Sequence, residues 1–467
     1  MRNITSSELD ETDFEEDTTM TSKTTMLVAL VAGAAACVGN VASDDVADQA
    51  SVGATSGSGG TSGSTGSGSG KGTGTGAGTG TGSTSTGMNL GGLVAHEWGT
   101  YTSVQSSIGE TMDGMAHEDE ALPSFVHGRS GTAKGDCNAK QLEFCPKGVT
   151  QKLETPVIYF YGEAKELTVK VDFPKGIISQ WYPSASGFAP PIDATKGGTP
   201  AGGSMTWTGT LDPTLGDKDF PAVASSDIWA PSRHVNSVPL RVFGKPDESE
   251  RFIFYRGLGG FDMPFHVKST GATSLALQND SAQAIPAAYL LVVNGSGGGH
   301  VMSLGGVGAN GSKEVQTLGK DLGPDSFLAQ AKAQVKEGLV ASGLTSDESQ
   351  AMVDTWERSY FKIPGTRVLY VAPREWTDAL LPITIKPEPK ELVRTLVGRV
   401  EAMTLGEEAS VKEAIKGYQS NSLSETQVMA GLGRFAEPKL RRGAQLVKGT
   451  PALEAAANKL VQSAIFK

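Results

Sequence analysis

The chain has 467 residues, of which 38% are hydrophobic and 19% charged, as expected of a globular protein with a substantial core. Its formal net charge of −11 is mildly acidic, and its lysines and arginines are spread along the chain. This balance argues against nucleic-acid binding and against electrostatic attachment to an anionic membrane, because both need a basic surface.

An apolar segment near the N-terminus indicates where the protein works. Residues 26–36 (MLVALVAGAAA) are followed by Cys37, and this run is too short to cross a bilayer as a helix, which takes about 20 residues. We therefore interpret residues 1–36 as a processed signal peptide. The segment resembles the lipobox of bacterial lipoproteins, in which such a cysteine is lipidated. That resemblance implies a lipid on Cys37 and a protein anchored to a membrane outside the cytoplasm.

Two details of this region bear on the start site and the destination. Residues 1–19 are rich in acidic side chains, whereas export signals normally begin with a positive charge. Translation from Met20 leaves Lys23 as that charge, so we predict Met20 as the true start. Val38 stands where lipoproteins kept in the inner membrane often carry aspartate. The resemblance therefore implies the outer membrane or the cell surface.

Residues 37–87 are predicted to form the lipidated N-terminus and a disordered linker. From residue 51 to residue 87 the chain is almost entirely Gly, Ser and Thr, without an aromatic residue and with Lys71 as its single charge. Such a sequence cannot bury enough apolar surface to offset the entropy lost on ordering.

Residues 88–320 show the pattern of a β-rich domain. Apolar and polar residues alternate over 167–173, which predicts a half-buried strand, and residues 162–165 are predicted to turn it back on the strand 156–161 as a hairpin. Further strands are predicted at 205–211, 251–256, 288–293 and 301–304. Many short strands without a helical pattern between them favour a β-sandwich.

Residues 321–467 are predicted to be mainly helical. Capping boxes, which mark helix starts, begin at Thr345, Thr404 and Ser424. Between the helices, residues 367–371 and 381–385 read as strands. We therefore predict an α+β fold, with a β-sandwich-like N-terminal part followed by a mainly helical C-terminal part that contains a strand insertion.

Three short runs connect this body to a known group of proteins. They are residues 96–100 (HEWGT), 153–161 (LETPVIYFY) and 433–438 (GRFAEP). The body resembles uncharacterised secreted bacterial proteins that carry the HEWGT motif. This resemblance implies a secreted protein and brings no activity with it.

Cys137 and Cys145 are predicted to form a disulfide. Lipidation would use Cys37, and the compartment outside the cytoplasm permits disulfides. Zinc binding by the pair is the less favoured alternative, because seven residues separate the two cysteines and metal knuckles use shorter spacings.

A cluster of histidines is the first candidate for chemistry. His96, His117 and His127 fall close together in a chain with six histidines, and acidic residues surround them. Imidazole and carboxylate groups suit one divalent transition metal such as zinc, copper or iron, with Glu97 as a candidate base. The HExxH motif is absent, because Thr100 occupies the place of its second histidine. The alternative left open is three hydrogen-bonded or exposed histidines without metal.

Residues 227–234 (DIWAPSRH) form the second candidate. Trp229 can stack on a ring, Arg233 can hold an anion, and His234 can act as an acid, a base or a further metal ligand. The alternative is a rigid loop with Trp229 in the core.

These observations leave two functions open. The first is a lipid-anchored protein outside the cytoplasm that binds a metal and acts as a hydrolase or an oxidase. The second is a non-enzymatic binding or scaffolding lipoprotein that recognises a glycan or a protein through exposed aromatic residues.

Overall fold

Stacked β-sheets and the helices that cover them make up the described structure. The computed structural model describes residues 92–117, 121–129, 146–191, 199–244 and 247–465, which lie within one compact unit, Gly82–Lys467. The predictions for the signal peptide, Cys37, the linker, Cys137 and Cys145 fall outside these residues.

The strands follow one another closely in the first two thirds of the described chain. They are β1 (Val94–Gln105), β2 (His127–Gly128), β3 (Gln151–Leu153), β4 (Val157–Tyr161), β5 (Leu167–Phe173), β6 (Gly176–Tyr182), β7 (Gly187–Ala189), β8 (Gly203–Leu211), β9 (Leu240–Val242), β10 (Glu248–Glu250), β11 (Phe252–Gly259), β12 (Phe265–Gly271), β13 (Ser274–Asn279), β14 (Ile285–Val293), β15 (Gly299–Val307), β16 (Ser312–Gln316), β17 (Gly365–Val371), β18 (Ile383–Lys386) and β19 (Glu391–Ala402).

The helices lie mainly in the last third. They are α1 (Ala230–Arg233), α2 (Pro324–Ala341), α3 (Ser346–Trp356), α4 (Arg374–Leu380), α5 (Leu405–Gln419), α6 (Glu425–Leu432), α7 (Ala436–Leu446) and α8 (Pro451–Ile465). The three predicted capping boxes are confirmed, because Thr345, Thr404 and Ser424 each accept the backbone N–H three residues on. None of the described helices combines the length and apolar character that a membrane span needs.

The strands form three sheets. A ten-stranded sheet has the order β15-β14-β17-β19-β1-β3-β11-β6-β2, with β4 paired to both β1 and β11. A six-stranded sheet has the order β10-β9-β8-β5-β18, with β7 paired to β8, and a three-stranded sheet has the order β12-β13-β16. Strands from both sides of residue 320 share the large sheet, in which β19 runs parallel to β1 along its full length.

The large sheet is covered on both faces around β1. Ala95 and Tyr101 point into a core shared with the six-stranded sheet, where they join Trp207. Trp98 points the other way, into a core that α2 and α3 complete with residues such as Phe327. Alternate residues of one strand thus reach opposite faces, as strand geometry requires. A third cluster joins the end of β1 to α5–α8.

The predicted α+β fold is confirmed, with sheets mainly in the N-terminal part and helices towards the C-terminus. The predicted hairpin of β4 and β5 is wrong. β4 pairs with β1 and β11 in the large sheet, whereas β5 pairs with β8 and β18 in the six-stranded sheet. Gly162, at φ 87°, lies in the connection that carries the chain from one sheet to the other. Alternation of apolar residues identifies a strand but not its partner.

Candidate functional site

Glu97, the predicted base, lies in a fully buried ion pair. Its carboxylate accepts hydrogen bonds from Arg394 Nε and from the Tyr255 hydroxyl, each at 2.5 Å. Glu97 and Arg394 are register neighbours on β1 and β19, and both side chains are inaccessible to solvent. Burial alone would lower the pKa of Arg394, but the charge of Glu97 outweighs it and raises that pKa. The arrangement joins the two central strands.

His96 lies on the opposite face of β1, against the start of α3. Its Nδ1 is 3.0 Å from both carboxylate oxygens of Glu348. The same carboxylate accepts the Tyr161 hydroxyl at 2.6 Å and the backbone N–H of Thr345 at 2.7 Å. Burial, and then the charge of Glu348, raise the pKa of Tyr161. Glu348 therefore both caps α3 and attaches it to the sheet.

His117 contacts a different helix. Its Nε2 is 2.7 Å from Glu437, on α7, and Glu437 also pairs with Arg441 at 2.6 Å. Burial would raise the pKa of Glu437, but the hydrogen bond from His117 and the charge of Arg441 hold it below its ordinary value.

His127 has a third partner. Its Nε2 is 3.0 Å from both oxygens of Glu248 on β10, and the backbone N–H of Ser184 donates to the same carboxylate at 2.6 Å. Each of the three predicted metal ligands therefore contacts a different glutamate. Within the described ranges, no group of three or more His, Cys, Asp and Glu side chains is arranged to hold a metal ion.

Two side chains of the segment 227–234 donate hydrogen bonds to one buried carboxylate, that of Glu250. Arg233 donates to Glu250 through Nε at 3.1 Å and Nη2 at 2.7 Å, and Trp229 Nε1 donates to the same buried carboxylate at 3.0 Å. Trp229 is buried in the core. His234 follows α1 as an exposed residue. The Trp229 and Arg233 side chains, predicted to bind a ring and an anion, thus contact Glu250 inside the protein. Trp229 lies in the core as in the alternative prediction, but residues 230–233 form the short helix α1 and not a loop.

Sequence reasoning missed a buried network around Glu154. Thr102 donates to its carboxylate at 2.7 Å, and Tyr360 and Arg434 also contact it. Next to it, Arg399 lies 4.1 Å from the centre of the Tyr360 ring. Burial raises the pKa of the Tyr360 hydroxyl.

This network continues along β17 and β19 through Glu401. Arg399 donates to the Glu401 carboxylate at 2.6 Å, and Arg367 lies 3.0 Å from the same group. Burial would raise the pKa of Glu401, but the charges of Arg367 and Arg399 hold it below its ordinary value. Two arginine side chains thus flank one buried carboxylate.

The Glu154 network is where the three motif runs meet. Glu154 belongs to the second run, Arg434 to the third, and the backbone oxygen of Thr100, in the first, accepts the Glu154 N–H at 2.9 Å. Gly99 allows this approach, because a Cβ there would lie 2.8 Å from the Cα of Pro156. The available signal for the contact between Glu154 and Arg434 was that each is a charged residue inside a motif run.

Comparisons with known proteins do not place the chain in a family. No family model matches it, and no curated protein is significantly similar. Two solved structures that align with it are the yeast delta-COP-I mu-homology domain and the same domain complexed with a Dsl1 WxWxV peptide. Their identities are 8% and 7%, and the alignments cover 67% of this chain and 95% and 96% of those chains. The TM-score is 0.23 in both cases, which does not establish a common fold.

Proposed function

We propose that the protein is a lipid-anchored binding or scaffolding protein outside the cytoplasm, without catalytic chemistry of its own. The observation that supports a non-enzymatic role is the placement of the candidate residues. His96, His117 and His127 contact three different glutamates, Glu97 pairs with a buried arginine, and Arg233 donates to a buried glutamate. Each pair joins separate elements of the fold, which is a structural use of these side chains.

The proposed location depends on the N-terminal sequence. The apolar run before Cys37 has the length and ending of a lipoprotein signal, and the Gly/Ser/Thr-rich linker after it suits a tether between a lipid and a folded body. A lipid anchor of this kind would hold the folded unit at the outer membrane or the cell surface.

Metal analysis tests the non-enzymatic proposal. The full-length protein, purified in detergent without chelator, should contain substoichiometric zinc, copper and iron, and EDTA should leave its thermal unfolding midpoint unchanged. One equivalent of a transition metal, together with a midpoint that falls with EDTA, would contradict the proposal, because a metal that binds the native state stabilises it.

A metal-dependent hydrolase or oxidase is the second candidate. One observation favours it: His96, His117 and His127 each have one ring nitrogen at a carboxylate, as metal-binding histidines usually do. Zinc, copper or iron bound through the other ring nitrogen would supply Lewis-acid or redox chemistry. Titration of the purified protein with each metal, with His96→Ala, His117→Ala and His127→Ala as comparisons, identifies which histidine contributes to any binding.

A further inference from the structure

Three aromatic side chains lie in a row at one margin of the β-sandwich. The centres of the His127 and Trp181 rings are 6.1 Å apart, with an angle of 29° between their planes. The centre of the Phe188 ring lies 5.6 Å from that of the Trp181 ring, with an angle of 37° between their planes. We call His127, Trp181 and Phe188 the edge row. The His127 and Trp181 rings are stacked and the Phe188 ring is tilted against Trp181, so the three rings form one aromatic cluster.

The edge row lies where the sheets end. His127 is on β2, the last strand of the large sheet, and Phe188 is on β7, which pairs with β8 alone. Phe188 is 37% exposed and the His127 side chain 35% exposed, whereas Trp181 between them is 5% exposed. Two partly exposed rings thus contact one buried indole.

The surroundings hold both outer rings in place. Arg129 lies 5.8 Å from the centre of the Phe188 ring, and its guanidinium donates to the backbone oxygens of Ala189 and Pro190, which follow that phenylalanine. Glu248 accepts from His127 Nε2. Side chains that are fixed before binding lose little conformational entropy when a ligand arrives.

The flank of the edge row is polar and charged. Glu248 accepts hydrogen bonds from His127 and from the backbone of Ser184, and its side chain is still 15% exposed. A carboxylate has more acceptor positions than these two donors fill. An aromatic cluster beside a partly exposed carboxylate differs from a purely apolar contact surface, because it combines aromatic rings with a hydrogen-bond acceptor.

We infer that the edge row binds the sugar rings of a polysaccharide outside the cell. A pyranose presents C–H groups on its face, which pack on aromatic rings, and hydroxyl groups at its rim, which donate to a carboxylate such as Glu248. The partly exposed Phe188 and His127 rings would supply the packing faces, and the buried Trp181 supports both. This inference rests on the proposed binding function and names its ligand class and its surface.

Co-sedimentation with insoluble polysaccharides tests the inference. Full-length protein in detergent is mixed with peptidoglycan sacculi, chitin or cellulose, and a soluble oligosaccharide of any polysaccharide that retains the protein is then titrated by tryptophan fluorescence. Phe188→Ala should weaken binding about tenfold, the effect of losing one stacking contact of about 1.4 kcal/mol. Phe188→Trp should retain binding, because it keeps an aromatic face.

Phe243→Ala is the matched control, since Phe243 is 46% exposed and lies outside the edge row. It should bind like the unchanged protein, and all variants should keep the same thermal midpoint. The inference is overturned if no polysaccharide retains the protein, or if Phe188→Ala and Phe243→Ala have equal effects. The polysaccharide assay and the metal analysis are independent. A metal-free protein that binds none of the three polysaccharides would refute the ligand inferred for the edge row but not the non-enzymatic role.

Discussion

Removal of one partner from the buried Glu97–Arg394 pair should be strongly destabilising. Neither side chain is accessible to solvent, so Glu97→Ala leaves a buried guanidinium without its main counter-charge. Asp378 also contacts Arg394, at 2.8 Å, but it is 47% exposed and water screens its charge. We expect Glu97→Ala and Arg394→Met each to lower the free energy of unfolding by about 3–5 kcal/mol. In the double variant both charges are gone, so its loss should fall below the sum of the single losses by about 1–3 kcal/mol.

Urea unfolding followed by tryptophan fluorescence measures these losses. Lys416→Met is the control, because Lys416 and Glu413 form an exposed pair, 50% and 69% accessible, whose loss should change the free energy of unfolding by at most about 1 kcal/mol. If Glu97→Ala loses no more than this control, or if the double variant equals the sum of the single variants, the pair does not stabilise the fold as argued.

Three further predictions concern other parts of the chain. Cys37→Ser should remove the protein from the outer membrane or the cell surface and leave its precursor without lipid and uncleaved; unchanged location and cleavage would contradict lipid anchoring. Because the pKa of Glu437 lies below its ordinary value of 4.5, its stabilising contribution is present above that pH and is lost as the pH falls through the lower native value. Glu437→Gln should therefore flatten the acid side of a plot of urea midpoint against pH, and an unchanged slope would refute this. Gly398→Ala should lose about 1–3 kcal/mol in urea unfolding, since its Cβ would lie 2.2 Å from the Tyr370 ring. Gly431→Ala, whose Cβ would meet no atom within 4 Å outside its chain neighbours and its own helix backbone, should be neutral or gain up to about 1 kcal/mol in its helix; equal losses in both would count against the steric argument.

Local signals in the sequence predicted local structure well. The capping boxes at Thr345, Thr404 and Ser424 begin helices because one side chain and one backbone group within a single turn decide the contact. Strand pairing depends on groups that the local pattern does not contain. The strands around Phe160 and Leu167 were predicted to pair with each other, and they lie in different sheets.

The candidate site shows the same limit more clearly. His96, His117 and His127 are close in sequence, but their glutamate partners lie 252, 320 and 121 residues away along the chain. Two of these glutamates belong to local sequence patterns: Glu348 completes a capping box, and Glu437 lies in the third motif run. Neither local pattern specifies the tertiary packing that brings α3 to His96 and α7 to His117.

The contacts of the HEWGT run account for it structurally. His96 contacts α3, Glu97 pairs with β19, and Trp98 packs in the core under α2 and α3. Gly99 leaves room for Pro156, just before β4, and the Thr100 backbone oxygen accepts from the Glu154 N–H, just after β3. Each of the five consecutive residues therefore has a structural contact, as expected of a strand buried on both faces in the middle of a ten-stranded sheet. An unusual run at such a position needs no substrate to account for it. A ligand is better sought at the margin of the sandwich, where aromatic rings are held rigidly and still meet solvent.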